Sequence, residues 1–152
     1  MDNDMSKYYS RKVMLPWLYG ISFRRYNEQD LVNALRESGA YIPELSLVAE
    51  IDGRIAGHIM FTKVRIGESV QLALAPLSVL PEYQRQGIGS ALIREGHKRA
   101  GELGYGYSIV LGSEAYYPKA GYNGHAKTWP LKCIKTEPSY PCFGSMEQGC
   151  VF

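Results

Sequence analysis

The chain has 152 residues, one domain's worth, with 45% hydrophobic and 21% charged residues. That excludes a disordered tail protein, a collagen-like repeat and a disulfide miniprotein; a chain of this length can bury roughly 70% of the surface its unfolded form exposes. Seventeen Lys plus Arg against 15 Asp plus Glu leave a net charge of +2, too even for a protein whose main task is to coat nucleic acid.

Twelve tyrosines outnumber four phenylalanines and two tryptophans. A buried tyrosine hydroxyl needs a partner, so some of them are expected to line a cleft or an interface. No apolar run approaches the ~20 residues of a membrane-spanning helix, so no membrane role is expected. Val13 to Ile21, preceded by Lys7, Arg11 and Lys12, imitates the apolar part of a signal peptide. Pro16 interrupts it, and Ser22-Phe23-Arg24 stands where a small-residue cleavage site belongs. Cys133, Cys142 and Cys150 are odd in number and form no C-x-x-C pair, which fits reduced thiols in a cytoplasm. With His125 they match no zinc spacing, and no metal is expected.

One domain over 1–152 is expected, in three textures. Residues 1–25 are irregular and aromatic, 26–122 are patterned throughout, and 123–152 are weakly patterned and hold Pro130, Pro138 and Pro141. Asn27 can cap a helix from Glu28 to Ser38, with Leu31, Val32 and Leu35 on one face and Gly39 as its stop. Leu45 to Ile51 reads as a strand. Asp52-Gly53 is a strong hairpin signal, because both central residues of a type I′ turn need positive φ. The return strand, Ile55 to about Val64, puts Gly57, Ile59 and Phe61 on one side and His58 and Thr62 on the other. After a turn at Gly67-Glu68, a third strand runs from Val70 to about Leu80. Pro76 removes a ladder donor within it and suggests a bulge or an edge.

Ile88, Leu92, Gly96, Ala100 and Leu103 recur at helical spacing, with Arg94, Glu95, Lys98 and Arg99 on the side expected to be solvated. Ser108 to Gly112 is a short buried strand. Strand, glycine-rich turn, helix and strand make a βαβ unit, whose two strands should be parallel. The fold class is α/β: a mixed, mostly antiparallel sheet with one parallel crossover.

The informative stretch is Gln84-Arg85-Gln86-Gly87-Ile88-Gly89-Ser90, between a strand and a helix. N–H groups at a helix start point outward with about half a positive charge, and glycines let a ligand approach that backbone. Such a turn suits a pyrophosphate, and Arg85 adds a full charge. No Lys completes a Walker turn, and Leu92 fills the place of the third glycine of a dinucleotide fingerprint. A bare G-x-G is more often a tight turn with no ligand.

Val79-x-Pro81-x-x-Gln84-x-x-Gly87-x-Gly89 resembles the acyl-CoA motif of the GNAT acetyltransferase superfamily, whose core is Q/R-x-x-G-x-G/A. Tyr117-x-x-x-Gly121-Tyr122 resembles that superfamily's Y-x-x-x-G-F/Y signature. The run from Leu111 to Tyr122, with Ala56-Gly57-His58 in the hairpin, is similar to bacterial acetyltransferases of the YhbS type. The resemblance covers about residues 28–122.

It implies a single GNAT-like domain whose central strands splay apart, using acetyl-CoA as co-substrate. The cofactor-binding residues would be Leu77, Ser78, Val79, Gln84, Arg85, Gln86, Gly87, Ile88, Gly89 and Ser90. The pyrophosphate would lie on the N–H groups of Gln86 to Ser90, and the pantetheine arm along Leu77 and Val79. A small-molecule or peptide amine would attack the thioester directly. Tyr117 would protonate the leaving thiolate, and a backbone N–H near Val79 would steady the oxyanion. Tyr116 is the alternative acid; His58, Glu28, Glu44 and Glu114 are alternative proton relays. Members usually begin with a strand and end with two more, whereas neither end here shows a clean strand pattern. A sheet edge left open at the C-terminal end would suit a homodimer. Two other readings share the residues: a GNAT-like domain that binds CoA without turnover, and a scaffolding domain whose tyrosines make an interface.

Overall fold

The computed structural model describes residues 8–10, 28–111, 115–124 and 131–135. Asn27, Gly112, Glu114, His125, Cys142, Cys150 and the Val13–Ile21 stretch lie outside the described residues. The strands are β1 (Tyr8–Ser10), β2 (Tyr41–Ile51), β3 (Arg54–Ile66), β4 (Ser69–Val79), β5 (Tyr107–Leu111), β6 (Asn123–Gly124) and β7 (Leu131–Lys135). The helices are α1 (Glu28–Glu37) and α2 (Ile88–Glu102). All described strands join one sheet in the order β1-β2-β3-β4-β5-β7-β6. Only β4 and β5 are parallel, as the crossover through α2 demands.

The hairpins follow their turn chemistry. Asp52 and Gly53 have φ of 50° and 75°, the two positive values a type I′ turn requires. β2 starts at Tyr41, before the expected Leu45, and its register on β3 shifts between Tyr41 and Ser46. β4 carries a bulge: Ile59 faces Leu77 and Phe61 faces Leu74, so Ala75 and Pro76 oppose Met60 alone. The last β5 partner on β4 is Leu74, so the donor Pro76 lacks is not missed on that side. Pro76 thus marks a bulge in a central strand, not an edge.

The two ends correct the expectation. Tyr8–Ser10 pairs antiparallel with Ala49 to Leu47, and β7 pairs antiparallel with β5 along its full length. β6 then pairs with β7 through Asn123↔Cys133 and Gly124↔Lys132. Strands of two, three and five residues are too short for alternation to stand out, and each is fixed by a partner distant in sequence. The edge next to β5 is therefore covered by the chain itself, which removes the premise of the homodimer argument.

Two apolar layers flank the sheet. The larger joins Leu47, Ile59, Phe61, Leu72 and Val110 to Ile88, Leu92 and Ala100 of α2. The smaller joins Val32 of α1 to Val48, Met60 and Leu80. Helix α2 departs from its expected pattern twice. Glu95 is buried and accepts a hydrogen bond from Arg99 Nε at 2.7 Å. Leu103 lies past the last helical residue and is exposed, while Gly104, at φ 85°, turns the chain away.

Gly96 lets α2 lie close on the sheet, since a Cβ there would collide with the fully buried Phe61 ring. Helix propensity alone would make Gly96→Ala stabilising by up to about 1 kcal/mol. Overpacking against a ring with no room to move reverses the sign. The variant should lose about 1–3 kcal/mol in denaturant unfolding, and Gly96→Ala combined with Phe61→Leu should recover part of the loss.

Candidate active site

The sheet opens where β4 and β5 part. Their pairing runs through Leu72↔Ser108, Ala73↔Ile109 and Leu74↔Val110 and stops. Ala75 to Val79 continue along β3 without a β5 partner. A cleft of about 720 Å³ occupies the gap, lined by Leu74 to Val79, Tyr83 to Arg85, Gly87 to Ser90, Leu111, Tyr116 and Tyr117, with Leu31 of α1 at its side. The strand end, the glycine turn and both candidate tyrosines thus meet in one place.

The turn ends in an open helix start. Gly87 is the N-cap of α2 at φ 83°, and no side chain caps that end. The first helical hydrogen bond is Ala91 N–H to Gly87 O, so the N–H groups of Ile88, Gly89 and Ser90 precede the ladder. Arg85 sits at φ 60°, a left-handed conformation unusual for a residue with a side chain. Gln84 Nε2 donates to Val79 O at 3.0 Å and Gln86 Nε2 donates to Glu82 O at 2.8 Å. Gln84 therefore braces the turn against the end of β4, and Gln86 braces it from within, against the 3-10 turn Pro81–Tyr83.

Leu77 and Val79 pack toward α2, whereas the Ser78 side chain is buried on the α1 side. Ser78 can thus offer the cleft its backbone but turns its hydroxyl into the layer behind. Gly57 makes room for this strand end: a Cβ there would lie 3.1 Å from Ser78 O and 3.2 Å from Leu92 Cδ1.

Tyr116 and Tyr117 open the 3-10 turn Tyr117–Ala120 and stand edge to face, 5.2 Å between centroids. Their environments differ. Tyr116 is exposed, and its hydroxyl occupies the space beside Gly89 where a Cβ would go. Tyr117 is half-buried and packs edge-on against Tyr122 at 5.8 Å. Tyr122 is fully buried, and its N–H donates to Tyr117 O at 3.1 Å. Below, a polar chain runs from His97 Nε2 to Tyr122 OH (2.7 Å) and on to Ser108 Oγ (3.0 Å). Sequence reasoning missed this chain, because its three residues lie on three separate elements.

Of the alternative relays, His58 is fully buried with Nε2 3.1 Å from Ser46 Oγ. Burial, aided by the Arg36 charge, lowers its pKa to about 3. Glu44 is exposed on β2 and does not line the cleft. Among the described residues no group of three or more His, Cys, Asp or Glu could hold a metal ion, and no helix is long and apolar enough to cross a membrane.

Residues 12–122 match the acetyltransferase (GNAT) family, and the chain belongs to that family. It is 40% identical over 99 residues to the uncharacterized N-acetyltransferase YjhQ of Escherichia coli K12, covering 62% of this chain and 55% of that protein. It is 38% identical over 104 residues to the uncharacterized N-acetyltransferase YhbS of the same strain, covering 66% and 61%. The chain thus spans little more than half the length of these curated relatives. A GNAT family acetyltransferase from Brucella melitensis in complex with acetyl-CoA superimposes with a TM-score of 0.70 at 36% identity, over 84% of this chain and 83% of that one. Escherichia coli YhbS in complex with CoA gives 0.72 at 29%, over 81% and 74%.

The histidines fix the sign of the acid response. Burial lowers His97 from 6.5 to about 4 and His58 to about 3, so both are neutral in the folded chain where the unfolded chain would protonate them. Stability is full above about pH 6.5 and is lost as pH falls from there toward 4. Tm measured across that range should fall on the acid side, with a shallower slope in His97→Gln.

Proposed function

We propose that the chain is an N-acetyltransferase that moves an acetyl group from acetyl-CoA to a primary amine by direct attack. The observation that carries this reading is the uncapped, glycine-built start of α2 at a cleft between parted strands that Tyr117 also lines. The residues present fit the group. Backbone N–H groups of Gln86 to Ser90 and the Arg85 cation suit a pyrophosphate. The stretch from Leu77 to Val79 suits an amide-bearing arm, which can join it as a strand would.

The transfer balances without a covalent enzyme species. The neutral amine nitrogen bonds to the thioester carbonyl carbon, the carbon–sulfur bond breaks, and the sulfur keeps its electron pair. The Tyr117 hydroxyl gives that thiolate its proton, and the proton shed by the amine passes to solvent and restores the phenol. A backbone N–H near Val79 steadies negative charge on the carbonyl oxygen. The packing of Tyr117 on Tyr122, tied by a backbone hydrogen bond, favours it over the exposed Tyr116 as the acid. The absence of a membrane-spanning helix among the described residues is compatible with a cytoplasmic location.

Calorimetry with acetyl-CoA, followed by turnover on an amine panel, tests the reading. Micromolar binding is expected, weakened about tenfold in Arg85→Glu, equivalent to about 1.4 kcal/mol. Tyr117→Phe should keep that affinity and lose on the order of 10²–10⁴ in kcat, with Tyr116→Phe much milder. Binding without turnover on any amine would leave a silent CoA-binding module, and no binding would leave the scaffolding reading.

A further inference from the structure

The cleft has two kinds of lining. The start of α2 and the strand end from Leu77 to Val79 offer backbone groups and the Arg85 cation, and in the transferase reading that part holds the cofactor. The rest of the lining is Leu31, Leu74, Ala75, Pro76, Leu111 and tyrosine side chains. Among the described residues that line the cleft none is acidic, and Arg85 carries the sole charge.

Exposed apolar side chains gather at this second part. Among the described residues, Leu31, Val70, Leu103, Leu111 and Tyr116 are the large apolar side chains left exposed, and three of these five line the cleft. Single exposed apolar groups need no explanation, whereas several on the walls of one cleft mark a binding surface. The backbone explains why the two leucines stand there. Val32 is the α1 residue buried against Val48 and Met60. Leu31 is rotated from it by about 100° around the helix and stays 46% exposed, although its spacing predicts the buried face. Leu111 ends β5, where alternation turns it to the face opposite Val110, and it is 61% exposed. Val110 packs with α2, so both leucines reach the cleft from the α1 side of the sheet. The β4 wall beyond its last β5 partner is the bulge at Ala75–Pro76, and Pro76 has no N–H to donate.

Such walls select their occupant. An apolar body gains by covering the leucines and the bulge. A second ammonium group would leave water for walls with no carboxylate among the described residues, and Arg85 would repel it. We propose that the acceptor is a primary amine carried on an apolar aliphatic or aromatic body with no second positive charge, which rests against Leu31 and Leu111 on the α1 side of the cleft. The proposal rests on the transferase reading and adds the substrate class to the same site. Polyamines and aminoglycosides are then poor acceptors.

Ethylamine, butylamine, hexylamine and spermidine test this in steady-state kinetics, the first three differing only in apolar length. kcat/KM should rise by up to about fourfold per added methylene. Spermidine should fall at least about tenfold below hexylamine. Leu31→Glu and Leu111→Glu change exposed side chains, with Tm as the check on folding. Each should lower kcat/KM for hexylamine and raise it for spermidine, with acetyl-CoA affinity unchanged. Should either fail to fold, Leu31→Ala and Leu111→Ala should flatten the length dependence. No rise with length, a preference for spermidine, or variants that weaken acetyl-CoA instead of the amine would overturn the apolar acceptor site and leave the transferase standing. Where no amine turns over, titration of the CoA-loaded protein with N-hexylacetamide and N-acetylspermidine decides. Tighter binding of N-hexylacetamide, weakened in the leucine variants, upholds the apolar site while the transferase reading falls; equal or absent binding overturns both.

Discussion

The parting of two parallel strands governs this molecule. β4 and β5 hold each other through three residue pairs and then separate at Leu74 and Val110. A separated pair exposes backbone that a closed sheet would satisfy, and such backbone must find another partner. The bulge at Ala75–Pro76 makes the separation tolerable on the β4 side, because the residue without an N–H lies just past the last β5 pair. The candidate site residues are arranged around the gap. The turn after β4 folds back onto the strand end through Gln84, α2 begins at its mouth, and the turn after β5 supplies two tyrosines to its wall.

The two faces of the sheet are finished differently. On the α2 face the packing is tight enough that Gly96 has no room for a methyl group, and the buried imidazole, phenol and hydroxyl satisfy one another. That face is a scaffold: it fixes Tyr122, and through it the turn that carries Tyr117. On the α1 face a smaller apolar cluster surrounds donors left without partners.

Much of this was legible in the sequence because it is local. Asp52-Gly53 fixes its hairpin by backbone sterics alone, and the spacing of Gly87 and Gly89 places an open helix start after a strand whatever surrounds it. The period of Ile88, Leu92, Gly96 and Ala100 identified the buried face of α2. Its failure at Glu95 and Leu103 has a plain cause. The width of the covered stripe depends on what packs alongside, and the last turn depends on where the helix stops. The terminal strands were missed because strands of two to five residues carry no period of their own and form only when a distant partner offers its edge.

By itself the sequence determined the order of the elements from α1 to β5 and the family signature in the turn. Tertiary structure alone decided which of two adjacent tyrosines is braced from behind, which side chains of the turn are spent on holding it, and that Leu31 and Leu111 line one cleft. Those are facts about distance between residues far apart in the chain. Periodicity and spacing report only what lies within a few residues along one element, whereas hydrogen bonds and burial depend on which elements the fold sets side by side.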